Sequence, residues 1–171
     1  MQDLTVSVAD ILGRPGEYRD IDVQATLPGV RTALARLDDV PVGVALRAES
    51  VVEGILVTGR VEGRAALECA RCLSERRAPV TLEVCELYVT PERRVADEDA
   101  YALTGTDMEL EPMLRDALAL ALPLHPLCRD DCKGLCARCG RDLNDGWCDC
   151  REEETDPRWA ALSVLRERLE G

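Results

Sequence analysis

Eight of the nine cysteines in this 171-residue chain fall into four close pairs. The pairs are Cys69–Cys72 and Cys136–Cys139 (both C-x-x-C), Cys128–Cys132 (C-x-x-x-C) and Cys148–Cys150 (C-x-C). Short spacing lets two thiolates turn toward one ion, and four sulfurs satisfy the tetrahedral preference of Zn²⁺. A filled site of this kind fixes four backbone positions at once, so the pairs constrain the fold strongly. One or two ions account for the eight sulfurs, the second case leaving no spare thiol cluster. Four thiolates also accommodate iron or an iron–sulfur cluster.

The spacing favours a distal site made of Cys136, Cys139, Cys148 and Cys150, four ligands within 15 residues. Gly140 follows the second cysteine of that set and permits the positive φ of a tight knuckle. The stretch Leu143 to Gly146 reads as the turn that brings Cys148 and Cys150 back. The remaining Cys69, Cys72, Cys128 and Cys132 then form a proximal site that closes a loop of more than fifty residues. The rival reading leaves Cys69 and Cys72 as buried thiols and lets the stretch from Cys128 to Cys139 supply one site alone. Cys85 lies in an expected strand and reads as a core residue.

Composition sets the surroundings. Hydrophobic residues make up 46% of the chain, but aromatics only 3%, and there is no Phe. The core must be built mainly from Val, Leu and Ala, which bury little area each, so a metal site would add useful stability. No run approaches the ~20 apolar residues of a membrane span. The N-terminal stretch lacks a basic region followed by an apolar one, so a reducing, cytoplasmic setting is expected. The net charge of −12 excludes a general phosphate binder. Contact with RNA requires a protein partner or a local basic patch.

The fold expected is α+β. Val6 and Val8 suit a strand, and the stretch from Ser7 to Leu12 could open a short helix. Ile21, Val23, Ala25 and Leu27 alternate with polar residues, while Leu34 and Leu37 suit a turn of helix. Residues 41–89 read as an antiparallel β meander or partial barrel, with turns at Glu53-Gly54 and Glu62-Gly63 and the Cys69–Cys72 pair at a hairpin tip. Residues 91–109 read as a flexible connection. A long helix follows over residues 110–122, its apolar face carrying Leu110, Met113, Leu114, Ala117, Leu118, Ala121 and Leu122. Pro112 fits its first turn and Pro123 ends it. Residues 1–123 would form the body. Residues 124–171 would hold the cysteine-rich zinc-knuckle segment and a C-terminal helix from Asp156, with Trp159, Leu162, Leu165 and Leu169 on one face.

Little here suggests catalysis. His125 is the only histidine, no Ser/His/Asp set beyond it is possible, and no glycine-rich phosphate loop occurs. A C-x-x-C pair can be a redox couple, but the expected context is a helix N-terminus in a βαβ unit, and Cys69 ends a meander strand. One basic patch stands out. Between Cys128 and Arg141 the chain carries Arg129, Lys133, Arg138 and Arg141 against Asp130 and Asp131, with Arg71, Arg76 and Arg77 at the Cys69–Cys72 pair. If the two knuckles adjoin, these charges make a cationic face that suits RNA phosphates. The alternative is that the arginines solvate the loops and hydrogen-bond carbonyls, a reading favoured because only Trp147 and Trp159 offer strong stacking surfaces nearby.

Three stretches resemble the YceD family, the large ribosomal RNA subunit accumulation proteins. They are Val61 to Leu73 with its C-x-R-C-L ending, the helix through Leu118 to Pro123, and Cys128 to Asn144 followed by Asp156-Pro-Arg158. The resemblance implies a non-enzymatic role in the synthesis, processing or stability of large-subunit (23S) rRNA. It implies pre-rRNA or the assembling large subunit as partner, directly or through ribosomal proteins, with neither a membrane nor a small-molecule substrate. Two rival readings are a zinc-stapled protein-interaction adaptor and a thiol-redox or metal-responsive regulator.

Overall fold

The computed structural model describes residues 4–91 and 100–150. The chain divides into two compact units, Met1–Cys132 and Lys133–Gly171. The first is mostly β. Its elements are β1 (Thr5–Ser7), β2 (Tyr18–Ala25), β3 (Ala35–Leu37), β4 (Val42–Ser50), β5 (Ile55–Glu68), β6 (Glu75–Val89), β7 (Tyr101–Ala102), β8 (Asp107–Glu109) and the helix α1 (Leu110–Ala121).

The main sheet runs β2-β4-β5-β6-β7, with β3 pairing β5 off that path. All its ladders are antiparallel except β6 with β7. Alternation drives this assembly: β4 is buried at every second residue, from Val42 through Val44, Leu46 and Ala48 to Ser50. Those side chains join Ile55, Val57 and Val61 of β5 and Val80, Val84 and Tyr88 of β6 in one core. Helix α1 closes the core with Leu110, Met113, Leu114 and Leu118, all fully buried. Tyr88 is the largest buried side chain, and its hydroxyl donates to the Glu109 carbonyl at 2.8 Å, where α1 begins. In a core this poor in aromatics, that bond ties sheet to helix.

The sheets are open and no barrel closes among the described residues. β7 contributes only two pairs, Tyr88 with Tyr101 and Val89 with Ala102, and β1 pairs β8 in a separate two-stranded sheet. The helix is not long: α1 has 12 residues. It cannot grow at either end, because β8 occupies the chain up to Glu109 and Pro123 disfavours helical backbone at Leu122. The expected C-terminal helix lies outside the described residues. The stretch from Ser7 to Leu12 makes turns, Ile11 and Leu12 both bonding back to the Val8 carbonyl, rather than a helix. Residues around Leu37 form β3; of the expected connection over 91–109, residues 92–99 lie outside the described residues, and residues 100–109 carry β7, β8 and the buried Leu103 and Met108.

The expected turn at Glu62-Gly63 is absent, since β5 runs unbroken from Ile55 to Glu68. Its glycines mark close approach to β4 rather than a reversal. A Cβ on Gly63 would meet Val42 Cγ1 at 2.8 Å, and one on Gly59, whose φ is +150°, would collide with the Ala45 carbonyl oxygen and the Leu46 Cα. Gly59→Ala should therefore cost more than about 2 kcal/mol in urea unfolding of the metal-loaded chain, through clash and backbone strain together. Gly43→Ala is the control. A Cβ there meets only the Glu62 carbonyl oxygen at 3.9 Å, and the change should stay within about 0.5 kcal/mol or stabilise. Equal effects of the two would contradict this reading of the strand.

Candidate metal centres

The first cysteine set is assembled by the end of one hairpin and the chain beyond α1. β5 ends at Glu68, and the next residues fold into a knuckle closed by Leu73 N–H to the Cys69 carbonyl (2.9 Å) and Cys69 N–H to the Ser74 carbonyl (3.0 Å). The Ala70 N–H donates to the carbonyl of buried Pro126 at 2.8 Å, which seats the segment after α1 against the knuckle. A turn from Arg129 to Cys132 then carries Cys128 and Cys132 onto the same side. Cys69 Sγ lies 3.8 Å from Cys132 Sγ, and Cys72 Sγ lies 3.6 Å from Cys128 Sγ. All four sulfurs fall within 4.8 Å of one another. Cys69, Cys72 and Cys132 are 1%, 8% and 2% exposed.

The second set belongs wholly to the unit that begins at Lys133. Gly140 N–H donates to the Cys136 carbonyl at 2.9 Å, the same bond that closes the first knuckle. Leu135 bridges to Asp142, and Leu143 N–H reaches the Gly134 carbonyl, so the chain doubles back. Asn144 fixes the return: its N–H donates to Asp142 Oδ1, and its Oδ1 accepts from Lys133 N–H. Cys148 and Cys150 thereby rejoin Cys136 and Cys139, all four sulfurs within 4.8 Å of one another. Cys139 and Cys150 are exposed.

The two knuckles share a backbone. After the second cysteine, Gly140 has φ +70° and Leu73 has φ +60°. The glycine takes that conformation at no steric cost, whereas a leucine there is strained, and its side chain is exposed.

Electrostatics follow a common pattern. The backbone N–H groups of Cys72, Cys128 and Arg71 hold the Cys69 thiol down to about 6, against the opposing effect of burial. Burial, then the neighbouring thiols of Cys132, Cys72 and Cys69, push Cys128 up to about 12. In the second set the N–H groups of Cys139 and Arg138 lower Cys136 to about 6, while the Cys139 thiol and burial raise Cys150 to about 12. Cys69 and Cys136 are thus the easiest to ionise, and Cys128 and Cys150 the hardest, because burial and shared thiol hydrogen bonds, with a smaller share from neighbouring charge, favour their protonated form. A divalent cation removes that penalty and expels the remaining protons.

The spacing fits such an ion. A tetrahedron of sulfurs about 2.3 Å from a centre has edges of about 3.8 Å; two edges of the first set are 3.6 and 3.8 Å, and every sulfur pair in each set lies within 4.8 Å. A disulfide needs sulfurs about 2.05 Å apart, and all nine cysteines are free thiols. Each set could hold one metal ion, and a structural ion there would hold the loops in place. Tetrahedral sulfur suits zinc or iron.

Arg71 Nη1 donates to the Cys132 carbonyl at 2.8 Å and approaches the Asp130 carbonyl at 3.4 Å. The side chain thus straps the Cys128–Cys132 turn to the first knuckle. Arg76 is exposed in β6, and Arg129 pairs with Asp131 at 3.5 Å. Lys133, Arg138 and Arg141 belong to the second unit. Cys85 is exposed rather than in the core. With Val84 facing inward, period-two alternation turns Cys85 outward opposite Thr58. Sequence reasoning missed Ser74, whose Oγ lies 3.1 Å from Cys72 Sγ, and Trp147, noted from the sequence as a stacking surface, carries Lys133 Nζ at 5.4 Å from its ring centroid.

The unequal exposure of the two sets has a kinetic consequence. A chelator should strip the metal-loaded chain in two phases, the fast one from the exposed set. Cys139→Ser should remove the fast phase and leave the slow one, followed by chelator-dye absorbance. A single phase, or loss of the slow phase in that variant, would contradict the assignment.

Comparison with known proteins bears on the whole chain. The family model described as large ribosomal RNA subunit accumulation protein YceD matches residues 57–166. An uncharacterised protein of Mycobacterium tuberculosis is 36% identical over 93% of this chain and 79% of its own length. One from Mycobacterium leprae is 35% identical over 89% and 72%. The Arabidopsis thaliana protein named large ribosomal RNA subunit accumulation protein YCED homolog 1, chloroplastic, is 34% identical over 64 residues, 37% of this chain and 20% of its own. No solved structure matches. The matched segment contains both four-sulfur clusters, and the chain belongs to the YceD family of large ribosomal RNA subunit accumulation proteins.

Proposed function

We infer that this chain is a non-enzymatic ribosome-biogenesis factor, acting in the cytoplasm to support the synthesis, processing or stability of 23S rRNA. One observation carries the reading: the family match covers the β5–β6 hairpin from Val57 onward and all eight clustered cysteines. On this reading the clusters hold zinc as a structural ion. The metal orders loops that present Arg71, Arg76, Arg129, Lys133, Arg138 and Arg141 to pre-rRNA or the assembling large subunit. Arg71 serves both ends, strapping the first knuckle through two carbonyls while its charge stays at the surface. No helix among the described residues is long and apolar enough to cross a membrane.

A second reading has an observation of its own. The net charge of −12 suits an adaptor whose acidic surface recruits basic ribosomal proteins. Association that survives RNA digestion favours the adaptor, and association lost with the RNA favours direct contact.

Depletion of the protein in its host, with mature and precursor large-subunit rRNA quantified against small-subunit rRNA, tests the reading. A selective fall in the large-subunit species is expected. An unchanged ratio would remove the rRNA function.

A further inference from the structure

We propose that Trp147 is a stacking platform for an unpaired base of single-stranded RNA, with Lys133 and Arg141 placed to meet the adjoining phosphates. This rests on direct RNA contact as read above and names its mode.

The indole is 81% exposed in a chain whose aromatic content is only 3%. Its backbone, however, is held on both sides. Cys148, the next residue, is a member of the second sulfur cluster, and the turn from Asp142 to Gly146 precedes it, fixed by Asn144 N–H to Asp142 Oδ1 at 2.8 Å. A large apolar ring on a restrained backbone loses little entropy when something flat covers it.

One cation sits over the ring and a second passes beside the residue before it. The Asn144 side chain accepts the Lys133 N–H at 2.9 Å, which brings Lys133 across to the turn, where its ammonium sits 5.4 Å from the indole centroid. An ammonium over one indole face leaves the opposite face for a base. Arg141 Nη2 lies 4.0 Å from where a Cβ on Gly146 would stand, so the guanidinium passes beside the residue preceding the tryptophan.

Charge counting separates stacking from a plain electrostatic surface. From Lys133 to Cys150, Lys133, Arg138 and Arg141 offset Asp142, Asp145 and Asp149, and four thiolates around one divalent ion would add a net −2. A segment without excess positive charge gains little from counterion release, so binding here draws on the ring. Stacking demands a base that is not already stacked in a duplex, which selects single strands.

The test uses the full metal-loaded chain with Trp159→Phe, which leaves Trp147 the only tryptophan of the two. A mixed-sequence single strand of about 12 nucleotides and the matching duplex are the probes. The single strand should quench the indole emission and the duplex should not. With two phosphate contacts, log K should fall with log salt at a slope of about −1.4. By anisotropy of labelled RNA, Trp147→Ala should weaken binding by about 5- to 150-fold, Trp147→Phe by less, and both should keep the metal content of the parent. Full affinity in Trp147→Ala, unmoved emission, or a steep salt slope shared by the duplex would overturn the stacking proposal while leaving RNA contact standing. Failure of the parent chain to bind either RNA would overturn both.

Discussion

The four-sulfur cluster of Cys69, Cys72, Cys128 and Cys132 is the constraint on which the first unit depends. It joins the tip of the β5–β6 hairpin to the segment after α1, across 63 residues of sequence between Cys69 and Cys132. Closing a loop of that length by a fixed link removes about 4 kcal/mol of unfolded-chain entropy in the chain-entropy picture. Domains of this kind have only about 5–15 kcal/mol in total. The core is made largely of Val, Leu and Ala, with Tyr88 its largest fully buried side chain, so an ion that cross-linked these four sulfurs would supply a large share of stability. The surrounding hydrogen bonds agree with this weight. Ala70 N–H to Pro126 and Arg71 to the Cys132 carbonyl both hold the two halves of the cluster together.

The two clusters are alike in backbone and unlike in setting. Both close through an N–H to the carbonyl of the first cysteine, and both lower that cysteine's thiol through backbone N–H groups. The first is buried beside the sheet, whereas the second leaves Cys139 and Cys150 at the surface. A buried cluster suits permanent architecture. An exposed one, with Trp147 and Lys133 beside it, suits a small rigid surface offered to a partner.

Pairing of the sulfurs was legible in the sequence because spacing of two to four residues turns paired thiols to one side, whereas how the pairs combine into fours stayed open until the fold brought Cys69 and Cys72 against Cys128 and Cys132. Also legible were β4 and α1, whose periods of 2 and about 3.6 are clean. What escaped depended on long-range contact. The Glu62-Gly63 turn was misread because a glycine that signals a reversal and one that makes room for a neighbouring strand look the same in sequence. Only the pairing with β4 separates them. Residues 100–109 seemed too polar for structure, but Leu103 and Met108 are buried by pairing with distant strands. Cys85 was misplaced although alternation from Val84 already pointed it outward. The strap made by Arg71 and the lysine over Trp147 are side-chain geometries that no spacing encodes.

The central claim is that these eight sulfurs form two separate four-sulfur metal sites. X-ray absorption of the metal-loaded chain, with metal content measured on the same sample, tests it most directly. The account predicts two ions per chain and a first shell of four sulfurs at about 2.3 Å if the ions are zinc. One ion per chain, or a shell containing nitrogen or oxygen ligands, would contradict it.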